Sequence, residues 1–165
     1  MRIDLLLVYG SGGHNEQMKR LHEDLSILFR KEYQIPLFIS FCDDDTKHPV
    51  TEIIYTVPTI TDKFSYIKLL FRMPVRIFQS FRILREIRRE YNIKFVITTG
   101  PGIGVITGLY FKLFSDAKVI HIETWSRFYS KSLSGRVMYY IADDFLVQNE
   151  ELLRLYPKAI YKGRL

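Results

Sequence analysis

This chain has very little cysteine: Cys42 stands alone among 165 residues. One thiol excludes an intramolecular disulfide, and no Cys/His cluster has zinc-site spacing. A reducing, cytoplasmic setting is the expectation. Long apolar runs are also missing. "MRIDLLLVYG" is interrupted by Asp4, and "IGVITGLYFKLF" from Ile103 to Phe114 is short and carries Lys112. Neither approaches the roughly 20 apolar residues that cross a bilayer, and the first lacks the form of a signal peptide. Internal repeats, low-complexity tracts and long linkers are absent too. Acid is in deficit, with 18 Asp and Glu against 24 Lys and Arg, a formal charge of +6. That balance favours an anionic partner: nucleic acid, anionic lipid or a phosphate-bearing substrate.

What is present is a globular composition, 47% apolar and 15% aromatic, in a length that suits one domain over 1–165. The apolar runs are short and continuous, as in strands covered on both faces. The pattern predicts strands at Ile3–Tyr9, Ile35–Phe41, Glu52–Val57, Phe95–Thr99, Lys118–Ile122 and Asp144–Gln148. Between them it predicts helices at His14–Phe29, with Met18, Leu21, Leu25 and Leu28 inward, then Gly102–Phe114, Ser132–Ala142 and Glu150–Leu155. Asp62–Tyr91 reads as two helices, because Pro74 suits a first turn and not an interior. Strand–helix alternation predicts an α/β, doubly wound parallel sheet of Rossmann-like type. Ligands of such folds gather at the carboxyl ends of the strands.

Four loops at those ends are unusual. "YGSGGHNEQ" places Gly10, Ser11, Gly12, Gly13 and His14 between the first strand and its helix. It fails the dinucleotide fingerprint, which needs glycine where Asn15 stands, and it lacks the P-loop lysine. What remains is an anion-friendly turn in which His14 can act as base or donor, or a tight turn in which His14 only caps the helix. "TTGPGIG" repeats the design with Gly100, Gly102 and Gly104, with close helix packing as its other reading. "HIETWSRFYSKSLSG" offers Glu123 for sugar hydroxyls or base positioning and Trp125 for stacking, with Arg127 and Lys131 for phosphate. Its plainer reading is a helix cap at Glu123 and a core Trp125. Asp43–Asp45 in "CDDDTKH" reads as a solvated loop, because consecutive carboxylates do not converge on one ion.

Asp62–Tyr91 concentrates positive charge: Lys63, Lys68, Arg72, Arg76, Arg82, Arg85, Arg88 and Arg89 face only Asp62, Glu86 and Glu90. Phe64, Phe71, Phe78 and Phe81 add more apolar surface than one core-facing stripe requires. Lys68, Phe71, Arg72, Arg76, Phe78, Arg82 and Arg85 are therefore expected to lie on an anionic membrane surface. A core helix with solvated arginines is the second reading, and a groove for a partner protein the third. Nucleic acid is not expected, since no helix-turn-helix, RRM or OB pattern accompanies the charge.

Together, "GSGGHNEQMKRL", "ITTGPGIGVITGLYFKLF", "KVIHIETWSRFYSKSLSGRVMYYIADDFLVQ" and "LYPKAIYKGRL" resemble the accessory subunits of split GlcNAc-type glycosyltransferases. That family includes the membrane-recruiting subunit that helps add the second GlcNAc in asparagine-linked glycosylation, and bacterial exopolysaccharide homologues. The loop order is also similar, more distantly, to the N-terminal half of MurG. The resemblance implies the N-terminal half of a GT-B fold and a role in a UDP-sugar (UDP-GlcNAc) transferase inactive without its partner. This chain would bind a polyprenyl- or dolichyl-diphosphate-linked sugar acceptor, while a catalytic donor-binding subunit completes the cleft. Carried onto this sequence, Gly10, Ser11, Gly12, Gly13, Gly100, Gly102, Gly104 and Arg127 would hold the acceptor diphosphate. His14 and Glu123 would be catalytic, with no metal and no other cofactor. Eukaryotic members usually begin with a membrane anchor, whereas this sequence begins at its first strand and stops where a full GT-B enzyme continues. Those departures imply a prokaryotic member held peripherally at the cytoplasmic face of the membrane. Two rivals stay open: a non-catalytic membrane scaffold for the partner, and a stand-alone small-molecule Rossmann enzyme.

Overall fold

The structure is a computed structural model describing residues 3–31, 36–58 and 66–165. Of 66–72 it describes the backbone alone. The elements run β1 (Asp4–Tyr9), α1 (Gly13–Lys31), β2 (Leu37–Asp43), β3 (Ile53–Val57), α2 (Tyr66–Glu90), β4 (Ile93–Gly100), α3 (Gly102–Phe114), β5 (Lys118–Ile122), α4 (Leu133–Ile141), β6 (Asp144–Val147), a 3-10 turn (Glu150–Arg154) and β7 (Ile160–Tyr161). All seven strands join one parallel sheet in the order β3-β2-β1-β4-β5-β6-β7. The expected doubly wound fold is observed.

Why the central strands read as unbroken apolar runs is now visible. Every residue of β1 is buried, because helices cover both sides of the sheet there. On one side α1 packs Met18, Leu21, Leu25 and Phe29 against Leu5, Leu7, Tyr9, Ile97 and Ile122. Leu28, expected inward, is half exposed, and Phe29 takes its place one step around the helix. On the other side α2, α3 and α4 bring Leu84, Ile87, Ile103, Phe111 and Met138 onto Leu6, Val8, Val96, Val119 and Phe145. Edge strand β3 instead alternates between partly buried and exposed residues.

The structure corrects three further expectations. Pro74 lies inside α2, which runs unbroken from Tyr66 to Glu90 rather than as two helices. A seventh strand, β7, was not legible in "YPKAIYKGRL", since its two residues pair only with β6. Asp43 is no loop residue: it ends β2 and is 4% exposed. The segments 32–35 and 59–65 lie outside the described residues, and with them the expected starts of the second strand and of the basic helical region.

Because each helix follows its strand, α1, α3 and α4 all begin at the carboxyl rim of the sheet. The far ends of α2 and α3 lie at the opposite rim, where an Arg88 guanidinium N–H donates to the Phe114 carbonyl.

Candidate functional site

Three helix beginnings meet at the carboxyl rim, and each is built differently. The first glycine loop turns at Gly12, whose φ of +70° favours glycine, and nothing lies within 4 Å of a side chain placed at Gly12 or Gly13. That leaves the N-terminal amides of α1 an open approach. Gly10 differs: it is buried, and a Cβ there would meet Pro101 Cδ at 2.5 Å and Asp43 Oδ2 at 2.7 Å. Its lack of a side chain lets the first and second glycine loops touch.

The second loop divides the same way. Gly102 opens α3 with nothing within 4 Å, and no side chain caps that helix. Gly104 is buried, and a side chain there would overlap the hydroxyl of Thr98. Gly12, Gly13 and Gly102 thus face open space, whereas Gly10 and Gly104 serve loop and helix packing.

His14 sits where the loops meet. Its Nδ1 is 2.6 Å from the carbonyl oxygen of Thr99, and the Thr99 hydroxyl donates back to the His14 carbonyl at 3.0 Å. A carbonyl can only accept, so Nδ1 carries the proton and Nε2 keeps the lone pair of the neutral ring. Burial holds the imidazole below its ordinary pKa, partly offset by the Thr99 bond and the negative charge of Glu123. A ring held this way is neutral near pH 7. A Cβ on Gly100, whose φ is +87°, would lie 3.3 Å from His14 Cε1 and 3.5 Å from the Ser134 hydroxyl oxygen. His14, Gly100 and Ser134 therefore share one corner of the rim.

Ser134 belongs to α4, whose start is organised by Glu123. The Glu123 carboxylate is 1% exposed and accepts from the Thr124 amide, the Ser132 hydroxyl and the Tyr156 hydroxyl, each at 3.0 Å. Ser132 caps α4 by accepting from the Gly135 amide at 2.8 Å. The carboxylate connects toward Ser134 through Ser132, whose hydroxyl is 3.4 Å from that of Ser134. Burial and the adjoining carboxylate push the Tyr156 phenol above its usual range.

Beneath these groups His121 is 1% exposed, stacked at a tilt on Phe145, and neither ring nitrogen has a hydrogen-bond partner among the described residues. Burial lowers its pKa to about 3, with the nearby His14 ring acting in the same direction. It is a neutral spacer.

Other sequence candidates lie around this corner. Arg127 is exposed and donates to the Ser130 hydroxyl at 3.0 Å. Trp125 is half-buried, with the guanidinium of Arg20 at 5.0 Å and that of Arg164 at 5.9 Å from its ring centre. The Lys131 ammonium lies 4.8 Å over the Tyr156 ring. Reading the sequence missed Thr99, Ser132, Ser134, Tyr156 and Asp43. The pattern Ser-x-Ser-Gly ahead of an apolar helix was a usable capping signal; nothing local marked Tyr156, which comes from 33 residues downstream of Glu123.

Among the expected membrane residues, the side chains of Lys68, Phe71 and Arg72 lie outside the described residues. Arg82 and Arg85 are exposed, Phe78 is 73% exposed, and Arg76 is half-buried. Phe78, Phe81, Arg82, Arg85, Arg88, Tyr110 and Phe114 line an open groove of about 590 Å³ between α2 and α3. Its floor is aromatic, with Phe81 and Phe114 set against Tyr110 at centroid distances of 5.3 and 5.1 Å. No described helix is long and apolar enough to cross a membrane.

Comparison with known structures places this architecture. The Acinetobacter baumannii MurG structure superposes over 100% of this chain and 44% of its own, with a TM-score of 0.61 and 11% identity. A Staphylococcus aureus MnaA–UDP structure superposes over 99% of this chain and 45% of its own, with a TM-score of 0.63 and 14% identity. This chain thus has the fold of one half of a GT-B protein and spans under half the length of those chains. Among sequences, the UDP-N-acetylglucosamine transferase subunit ALG14 of Kluyveromyces lactis is 28% identical over 98% of this chain and 78% of its own. The rat subunit of the same name is 28% identical over 99% of this chain and 83% of its own. The profile of the family described as "Oligosaccharide biosynthesis protein Alg14 like" matches residues 5–165. With nearly its whole length matched, the chain belongs to the Alg14-like family of oligosaccharide biosynthesis proteins.

Proposed function

We propose that this chain is the acceptor-binding subunit of a two-chain glycosyltransferase that uses a UDP-sugar, UDP-GlcNAc in the first instance. The observation that carries this reading is the corner at His14. A neutral imidazole stands beside Gly100 and Ser134 where α1, α3 and α4 begin, with open glycines at Gly12, Gly13 and Gly102. Helix N-termini attract anions, and the loops fit a diphosphate better than a nucleotide whose fingerprints they lack. The names of the relatives, each a UDP-N-acetylglucosamine transferase subunit, support the same reaction class.

In this reading the acceptor is a sugar on a polyprenyl or dolichyl diphosphate. Its diphosphate lies against Gly12, Gly13 and Gly102, with the exposed Arg127 exchanging its Ser130 bond for a phosphate oxygen, while Gly10, Gly100 and Gly104 hold the loops in place. Nε2 of His14 takes the proton as the acceptor hydroxyl attacks the anomeric carbon of the donor sugar, and UDP departs with the electrons of the broken C–O bond. Glu123 positions rather than touches: it fixes α4 and biases His14 electrostatically. A partner chain supplies the donor site. The exposed arginines and Phe78 on α2 hold the subunit peripherally to the cytoplasmic face of an anionic membrane.

Calorimetric titration of the chain alone tests this reading. Farnesyl-diphosphate-linked GlcNAc, a short acceptor, should bind and UDP-GlcNAc should not. Binding of UDP-GlcNAc without the acceptor analogue would favour the stand-alone Rossmann reading and overturn ours.

A further inference from the structure

Asp43 stands out among the buried acids of this fold. It closes β2 and is 4% exposed; its carbonyl accepts from the Thr46 amide at 3.0 Å, but no described residue donates a hydrogen bond to its carboxylate. Asp4, by contrast, accepts from the Asn92 amide, and Glu123 accepts three bonds. An unpaired buried carboxyl costs stability, since desolvation is not offset by donors. Burial, with Asp44 and Asp45 adding like charge, accordingly raises its pKa to about 6. Such a cost is tolerated where a ligand supplies the missing donors.

Its place says which ligand. Asp43 Oδ2 lies 2.7 Å, and Pro101 Cδ 2.5 Å, from the point where a Gly10 side chain would begin. The carboxyl therefore sits at the seam between the two glycine loops, on the side of the sheet where α3 begins. A phosphate would be repelled there. A carboxylate selects donors, which means sugar hydroxyls or an acetamido N–H, and an acid at the end of the second strand is where doubly wound folds meet ribose hydroxyls. Two sugars share that chemistry: the acceptor's and the nucleotide's ribose.

We propose that Asp43 is a specificity-determining residue that accepts hydrogen bonds from the acceptor sugar, next to the diphosphate held by the glycine loops. This rests on the acceptor-binding reading above. A sugar bound at the seam would meet Asp43 on one side and the loop carrying His14 on the other, so the carboxyl would select the sugar presented to the base.

The test is calorimetry on the whole chain and on Asp43→Asn, with three probes: farnesyl-diphosphate-linked GlcNAc, farnesyl diphosphate and UDP-GlcNAc. The expected result is a loss of tenfold or more in affinity for the sugar-bearing acceptor, with farnesyl diphosphate bound equally by both proteins. The variant should also melt higher than the native protein at pH 7, because it removes an unpaired acid. A carboxyl that merely held the loops would lose stability and affinity together, so lower melting with equal losses for both farnesyl probes overturns the proposal. Unchanged affinity for the sugar-bearing probe overturns it as well. UDP-GlcNAc binding that Asp43→Asn weakens would assign Asp43 to ribose and overturn the acceptor assignment. Failure of the native chain to bind either farnesyl probe would instead remove the acceptor reading itself.

Discussion

The carboxylate of Glu123 occupies the space that any side chain at Gly135 would need. A Cβ added at Gly135 would fall far closer to a Glu123 carboxylate oxygen than such atoms can stand, and the Gly135 amide is held by the same Ser132 hydroxyl that donates to Glu123. Glu123→Ala leaves the Ser132 and Tyr156 donors facing an apolar hole. A loss of about 2–4 kcal/mol is expected in urea unfolding. Glu123→Gln, which keeps shape and can still accept, should cost about half as much. Gly135→Ala should cost as much as Glu123→Ala, by displacing the same carboxylate.

His14 separates base from scaffold. In the reconstituted two-chain enzyme His14→Ala should lower the turnover rate by about 10²–10⁴-fold while acceptor binding and complex formation persist. Turnover equal to that of the native pair would leave the chain as a recruiting scaffold.

The two rim histidines and Asp43 pull stability in opposite directions with pH. His14 and His121 have folded pKa values below the ordinary 6.5, so their contribution is complete above about 6.5 and is lost as pH falls toward 3. The folded pKa of Asp43 is raised from 3.8 to about 6, so its protonated form favours the fold in acid, and that advantage fades as pH rises from about 4 to 6. Thermal melting between pH 4 and 7 should therefore show His121→Leu losing less stability on acidification than the native chain. Asp43→Asn should gain on it progressively toward pH 7. Parallel melting curves for all three proteins would contradict the assignments.

The glycines of the second loop should divide by role. Gly104→Ala overlaps the Thr98 hydroxyl and should destabilise by about 1–3 kcal/mol, with partial recovery in the double variant Gly104→Ala, Thr98→Ala. Gly102→Ala, with nothing near, should change melting by less than about 1 kcal/mol and show its effect in diphosphate binding.

The α2 arginines should read out on vesicles. Arg82→Glu with Arg85→Glu should release the chain from vesicles containing anionic phospholipid, as added salt should, without lowering its melting temperature, since both side chains are exposed. Unchanged vesicle binding would remove α2 from the membrane reading.

Much of this fold was legible because a buried parallel sheet writes itself as short unbroken apolar runs, as in Leu5–Tyr9 and Val96–Thr99. The rim was legible because glycine clusters mark where strands hand over to helices. Tertiary pairing was not. Whether a glycine faces solvent, as Gly102 does, or a neighbour's hydroxyl, as Gly104 does, depends on residues that local pattern cannot place. Asp43 was misread for the same reason: three consecutive aspartates look solvated until β3 and the Gly10 loop close over the first. Pro74 misled because its penalty for continuing a helix is real but finite, and the long α2 spans it.

The order of the strands has a consequence for how this chain is made. Central strand β1 pairs with β2 soon after it, but its other neighbour is β4, with Leu5 opposite Phe95 and Tyr9 opposite Gly100. During synthesis, then, one edge of the most apolar strand has no mate until more than half the chain has emerged. Parallel sheets closed by such distant pairings have high contact order and fold slowly, with sticky edges exposed meanwhile. Fragments ending before Gly100 should aggregate rather than fold, and the corner at His14 exists only once residues from both halves of the chain have met.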